Sequence, residues 1–260
     1  MSGPNGSVLL VVPCYRESGR IGSFLPDLCR ELQRLGNVRV LVVDDGSDAA
    51  EVRRLNEIVE SIRVTHDCLL PLKSLPENIG KGGAVYAGWD TADDAEWLAF
   101  VDADGSCPAT EVVRLIGMRN DQCRMPNDTA FFASRVKMLG RRVDRLLKRH
   151  LLGRVYATLV SELLDVPVYD SQCGLKLVPA AAYRKVKPVL SVTGFAFDAQ
   201  LLLALLHSGC EVIEVPIDWH ETPGGKISLV RDSLRMTRDI LSIRKQSQGT
   251  EWRHALGQDA

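Results

Sequence analysis

Two pairs of carboxylates and one glycine-rich turn are the residues of this sequence best suited to chemistry. Asp102-Ala103-Asp104 places carboxylates on alternate residues, where like-charge repulsion is costly unless a cation neutralises it. Hard divalent ions want oxygen ligands, and Mg²⁺ is commonly held by one or two carboxylates together with substrate phosphates. A departing diphosphate gains from such positive charge as its oxygens become more negative. Asp44-Asp45-Gly46-Ser47 has the composition of a turn, yet a carboxylate there could equally accept hydrogen bonds from a ribose or a base edge. Asn78-Ile79-Gly80-Lys81-Gly82-Gly83 opens a helical pattern, a geometry that favours anions. It is not the P-loop pattern, which needs Gly-x-x-x-x-Gly-Lys and then Ser or Thr.

An isolated Asp-x-Asp is usually a solvated turn, so its meaning depends on the elements that carry it. Val8 to Val12 and Val38 to Val43 are continuous apolar, β-branched runs, as expected of parallel strands covered on both faces. Between them Ile21, Phe24, Leu25, Leu28, Leu32 and Leu35 recur at helical spacing up to Gly36, a plausible stop. Helical patterns over Ala49 to Ile62 and Gly83 to Ala92 precede a strand at Trp97 to Val101. The resulting β-α-β-α-β alternation predicts a twisted, mainly parallel sheet with right-handed crossovers. Ligands of such sheets bind outside the carboxyl ends of the strands. The turn at Pro13, the Asp44-Asp45 pair and the Asp102/Asp104 pair all fall there. Further on, strands are expected at Ala130 to Ser134, Leu175 to Val178 and Val212 to Val215. Helices are expected over Arg141 to Leu164, Asp198 to His207 and Ser228 to Lys245.

Composition excludes several classes. Apolar residues make up 45% and charged residues 25%, with a formal net charge of -1, the balance of a globular protein rather than a disordered or nucleic-acid-binding one. The amino terminus lacks a basic segment leading into an apolar run, and no window approaches the ~20 apolar residues that span a bilayer. The seven cysteines are scattered, without a Cys-x-x-Cys pair, which predicts reduced thiols rather than a zinc site or disulfide framework. The expected location is therefore cytoplasmic. No repeat or linker interrupts the chain, so one domain is expected over 7–245, between a flexible 1–6 and a flexible tail at 246–260.

Pro13-Cys14-Tyr15-Arg16-Glu17, Asp44-Asp45-Gly46-Ser47, Asn78-x-Gly80-Lys81-Gly82 and Asp102-Ala103-Asp104-Gly105 occur in an order that closely resembles family 2 glycosyltransferases of the GT-A fold. Four later segments extend the resemblance to the polyprenyl-phosphate sugar transferases of that family. They are Ser134-Arg135, Asp170-Ser171-Gln172-Cys173-Gly174-Leu175-Lys176, Gly194-Phe195-Ala196-Phe197-Asp198 and Val215-Pro216-Ile217-x-Trp219. It implies an α/β GT-A domain with a Rossmann-like sheet that inverts a hexose from a UDP- or GDP-sugar onto a polyprenyl phosphate. Pro13, Tyr15, Glu17 and Asp44 would hold the nucleoside, and Asp45 and Lys81 would also bind the nucleotide-sugar. Asp102 and Asp104 would meet the diphosphate and its Mg²⁺ or Mn²⁺, with Ser106 as a further metal ligand. Arg135 and Arg149 would grip the acceptor phosphate, as suits a guanidinium. Gly224-Gly225-Lys226-Ile227-Ser228 looks like a loop that closes over the donor.

Departures bear on the acceptor. Arg16 stands where relatives carry Asn, Gly153 where some carry Ser, and Gln200 where many carry Glu. A hydroxyl acceptor profits from a general base, whereas a phosphate is already an anion and needs alignment and charge neutralisation. The missing carboxylate at Gln200 thus leans toward a phosphate acceptor, with Asp170 the candidate base if the acceptor is a hydroxyl. Arg142, Arg145 and Arg149 are expected on one helical face. Arg231, Arg235 and Arg238 line up beside apolar residues, as on a basic helix lying at a membrane surface.

Overall fold

The computed structural model describes residues 6–119, 129–144, 147–222 and 229–257. Strand β1 (Val8–Cys14) lies between β2 (Val38–Asp44) and β4 (Trp97–Val101), paired in parallel with both. β3 (Lys73–Ser74) extends the sheet beyond β2. On the other side β7 (Leu175–Pro179) runs antiparallel to β4 and to β5 (Thr129–Ser134), and β8 (Glu211–Pro216) completes the sheet in parallel with β5. The order is β3-β2-β1-β4-β7-β5-β8, the expected mainly parallel sheet. Its central strands are apolar on both faces because helices cover both.

Helix α1 (Ser18–Leu32) buries Ile21, Phe24, Leu25, Leu28 and Leu32, the stripe its spacing demanded. It shares one face of the sheet with α4 (Ala109–Gly117), while α2 (Ala49–Arg63) packs against α1. The other face carries α3 (Lys81–Trp89), α6 (Ala180–Val186) and α7 (Phe197–His207). Helices α5 (Leu147–Leu164) and α8 (Leu229–Ser247) contact one another on that side.

The structure corrects three boundaries. α3 begins at Lys81 rather than Gly83 and ends at Trp89 rather than Ala92, where the Trp89 indole donates to the Ala99 carbonyl. The helix expected from Arg141 begins only at Leu147. Before it, β6 (Val143–Asp144) pairs in parallel with β9 (Trp219–His220), and the Arg142 amide donates to Asp218. A long-range pairing overrides the local helical pattern, so Arg142 and Arg149 share no helix face, and Arg145 lies outside the described residues. Finally, the expected tail from 246 carries the end of α8 and then α9 (Thr250–Ala255). Trp252 of α9 is buried and donates to His207, which ties this stretch to the core.

Candidate active site

The carboxyl ends of β1, β2 and β4 and the start of α3 open onto one cleft of about 550 Å³. Pro13, Cys14, Tyr15 and Glu17 line it from β1, Asp45 from β2, Asn78 to Lys81 from the glycine loop, and Asp102 to Asp104 from β4. Most residues singled out by the sequence thus meet in one place.

Asp45 builds the anion-favouring loop. Its two oxygens accept from the Ile79 and Gly80 amides at 2.8 and 3.0 Å, and Gly80 adopts a φ of 95° that L side chains rarely take. Burial pushes the Asp45 carboxyl up, against the pull of those two amides. Asp44, by contrast, is wholly buried and does not line the cleft. Its Oδ2 accepts from the Ser47 amide and the Ser74 hydroxyl, while Oδ1 is buried with no hydrogen-bond partner among the described residues.

Asp102 and Asp104 leave β4 in different surroundings. Asp102 Oδ1 lies 2.6 Å from Lys81 Nζ, and the Gly174 carbonyl accepts from the Asp102 amide. A Cβ on Gly174 would overlap the Asp102 carboxylate, so only glycine permits this approach. Burial works against the Lys81 charge, but Asp102, Asp198 and Asp104 together raise its pKa. Asp104 accepts from the Ser106 amide at 2.9 Å. Ser106 itself is buried, outside the cleft lining, with its hydroxyl shared with Thr222, a correction to its expected place as a metal ligand.

Behind the cleft floor, Lys176 is fully buried, with Nζ 2.6 Å from Asp198 and donating to the Cys173 carbonyl. Its ammonium faces the rings of Phe100 and Phe132. Burial raises the Asp198 carboxyl, with Lys176 and Lys81 acting to lower it. Alternating charges thus run from Asp102 through Lys81 toward Asp198 and Lys176, a polar floor enclosed by aromatic rings.

Two sequence expectations fail on their surroundings. Arg135 and Asp170 are not among the cleft residues. Arg135 donates to both Asp170 oxygens, at 2.7 and 2.8 Å, and its backbone amide adds a third bond at 2.9 Å. A carboxylate so committed is an orienting group rather than a base, and the guanidinium is committed to Asp170 instead of presented to a phosphate. Gln200 is equally structural. Its carbonyl oxygen accepts from the Ser191 and Val192 amides and its amide donates to the Val189 carbonyl, so it shapes the loop before α7 and its difference from Glu does not report on the acceptor. Arg149 falls in the first turn of α5 with its side chain outside the described residues. The 224–228 loop also lies outside them.

The cleft also holds residues not singled out as site residues. Arg20 pairs through two nitrogens with Glu17 and keeps Nη1 buried without a partner among the described residues. Glu17 raises the Arg20 pKa against burial, and Asp104 adds to the rise. Its spacing of three from Glu17 was the available signal. Arg235, Met236 and Asp239 enter from α8, so Arg235 faces the cleft rather than a membrane. Nothing local in the sequence distinguishes them from surface positions.

The Glycosyl transferase family 2 model matches residues 9–152, more than half of the chain. The chain belongs to glycosyltransferase family 2. It is similar to the dolichyl-phosphate beta-glucosyltransferase of Saccharomyces cerevisiae, with 30% identity over 90% of this chain and 73% of that one. Two solved structures share the fold. Glucosyl-3-phosphoglycerate synthase from Mycobacterium tuberculosis, in complex with UDP, has a TM-score of 0.61 at 16% identity, covering 98% of this chain and 82% of the other. The mannosyltransferase PcManGT from Pyrobaculum calidifontis, in complex with GDP-Man and Mn²⁺, has a TM-score of 0.59 at 17% identity, covering 98% and 73%. This protein is therefore a glycosyltransferase of the GT-A fold, a fold whose members bind a divalent metal. Asp102 and Asp104 suit a hard cation that takes its remaining ligands from phosphate and water. Among the described residues no three His, Cys, Asp or Glu side chains converge to hold an ion unaided. No described helix is long and apolar enough to cross a membrane.

Proposed function

We propose that this glycosyltransferase moves a hexose, glucose in the first instance, from a UDP- or GDP-sugar to the phosphate of a polyprenyl phosphate, with inversion. One observation carries the donor assignment: the carboxylates of Asp102 and Asp104, the ammonium of Lys81 and the amide-rich loop held by Asp45 line one cleft. The acceptor reading draws on the likeness to a dolichyl-phosphate beta-glucosyltransferase over most of the chain.

Tyr15 flanks the nucleoside end of the cleft. Asp102 and Asp104 are the residues that would hold Mg²⁺ or Mn²⁺. When bound, the ion neutralises charge that builds on the leaving diphosphate. Lys81 adds a fixed positive charge beside the same oxygens, in a site where preorganised charges need no reorganisation during reaction. An acceptor phosphate oxygen forms the new bond to the anomeric carbon on the face opposite the departing diphosphate, whose bond to that carbon breaks. No proton has to be removed. Arg235, which enters the cleft from α8, would align the acceptor phosphate, the part that the family resemblance gives to Arg135. The protein would meet its lipid acceptor at a membrane surface.

A hydroxyl acceptor is the second reading, favoured by one observation. Asp239 lines the cleft with a carboxyl raised by burial, as suits a general base. The deciding experiment incubates the protein with UDP-glucose or GDP-mannose, Mn²⁺, and either a short-chain polyprenyl phosphate or a soluble hydroxyl acceptor. Lipid-linked hexose is expected. Transfer to the hydroxyl acceptor alone would overturn the proposal.

A further inference from the structure

The loop leaving β5 ends in an unusual tip. Met138 and Leu139 are both exposed, Leu139 to 98%, on a turn closed by the Arg141 amide donating to the Met138 carbonyl, with Gly140 at a φ of 84°. The turn is braced rather than loose. Arg141 bonds Glu111 of α4, the Arg142 amide bonds Asp218, and Val143 is buried. A rigid turn that holds two large apolar side chains in water has no folding reason to do so.

A second exposed apolar surface lies on α5. Leu151 and Val155, one turn apart on α5, are 56% and 67% exposed. Between them Arg154 stacks on Tyr169, 3.8 Å from the ring centroid, and donates to the Tyr169 carbonyl. Asp170, the next residue, grips Arg135, three positions before Met138. This chain of contacts ties the outer face of α5 to the end of β5, from which the tip departs. Lys137 and Arg142 are exposed on either side of the turn, with Arg154 beyond; of the acidic residues at its base, Glu111 is paired with Arg141, Asp144 with His220, Asp218 accepts from the Arg142 amide, and the Glu221 amide donates to the Asp144 carbonyl. β5 runs in the same direction as β4, since both are antiparallel to β7. The tip therefore leaves the edge of the sheet on which the cleft opens.

We propose that Met138, Leu139, Leu151 and Val155 form an apolar patch with a basic rim that seats the protein on an anionic lipid surface. The inference rests on the reading of the acceptor as a membrane lipid, and supplies the means by which the cleft reaches it. A protein partner would need a pocket shaped to a protruding leucine, whereas a lipid interface accepts one without complementarity. Charge complementarity favours the lipid, because basic residues beside inserted apolar side chains add attraction to acidic headgroups. Either contribution alone gives only marginal, reversible binding, and stable attachment takes both.

The test is co-sedimentation of the whole chain with phosphatidylcholine vesicles, with and without phosphatidylglycerol. Wild type is expected to bind the mixed vesicles, and Met138→Ser/Leu139→Ser to bind them at least ~10-fold more weakly. Val155→Glu, on a separate element, should weaken binding in the same direction, and Lys137→Glu should reduce the preference for phosphatidylglycerol. Transfer to a short polyprenyl phosphate dissolved in detergent should be unchanged in the tip variant. Wild type that ignores both vesicles, or a folded tip variant that binds as well as wild type, overturns the patch and leaves the acceptor reading standing. Vesicle binding lost in the variants, with no transfer by wild type to any polyprenyl phosphate, keeps the patch and removes the acceptor reading.

Discussion

Replacing Asp170 with Asn separates an orienting carboxylate from a catalytic one. Asp170 and Arg135 are each 13% exposed and joined by two side-chain bonds and one backbone bond. Removing one partner of a buried pair leaves the other charge uncompensated, at a cost of about 3 to 5 kcal/mol. Unfolding entropy near 2.1 cal/mol/K per residue gives this 260-residue chain about 0.5 kcal/mol per degree, so Tm should fall by roughly 6 to 9 °C. Thermal unfolding monitored by circular dichroism measures the shift. Arg135→Met should cost a similar amount, and the double variant less than the sum of the two, because the lone charge is then gone. Well below the transition, Asp170→Asn should turn over within ~10-fold of wild type, whereas loss of a general base would cost about 10² to 10⁴. An Asp170→Asn protein with wild-type Tm and at least ~10²-fold lower turnover would falsify the orienting role and restore Asp170 as the base.

The cleft gives three further outcomes to measure. Asp104→Asn should lose about 3 kcal/mol of transition-state stabilisation, roughly 150-fold in rate, together with Mn²⁺ affinity by calorimetry; an unchanged Mn²⁺ isotherm would remove Asp104 from the metal site. Lys81→Met should bind Mn²⁺ about tenfold more tightly without nucleotide, because no ammonium then competes for Asp102, yet bind nucleotide-sugar more weakly. Equal Mn²⁺ affinity in both proteins would refute that competition. Among the cysteines of the described residues, alkylation should begin at Cys68, whose thiol is lowered by its hydrogen bond with Cys29, as pH rises toward the ordinary thiol range. Cys173, pushed up to about 12 by burial, and Cys14 and Cys107, also raised chiefly by burial, should resist iodoacetamide; mass spectrometry showing them labelled alongside Cys68 would refute the ranking.

The sheet was legible because strands covered on both faces leave continuous runs: Val8 to Val12, Val38 to Val43 and Trp97 to Val101 all reappear as strands. The residues at their ends were legible for the same reason. Less visible was which of two neighbours faces the ligand. Asp44 and Asp45 differ by one position, and only the place where β2 leaves the sheet turns the first inward and the second into the cleft. Gln200 misled because its chemistry was read by type, while its environment is a set of loop amides. The false start of α5 at Arg141 has a similar origin, since the pairing of Val143–Asp144 with Trp219–His220 joins segments some seventy-six positions apart. Arg235 and Asp239 reach the site through the packing of α8, a tertiary fact with no local signature.

The reversed strand β7 has a consequence for how such an enzyme could be altered. A parallel strand contributes to the cleft edge only through the segment leaving its carboxyl end, but an antiparallel strand contributes through the segment entering its amino end. The segment 165–174 therefore feeds Asp170 and Gly174 to that edge from upstream, independently of the crossovers that form the nucleotide end. Grafting a different segment between Leu164 and Leu175 would exchange surroundings near Asp102 and Arg135 while leaving the β1-β2-β4 half of the sheet untouched. The β1-β2-β4 half of the sheet can stay constant while the stretch entering β7 varies.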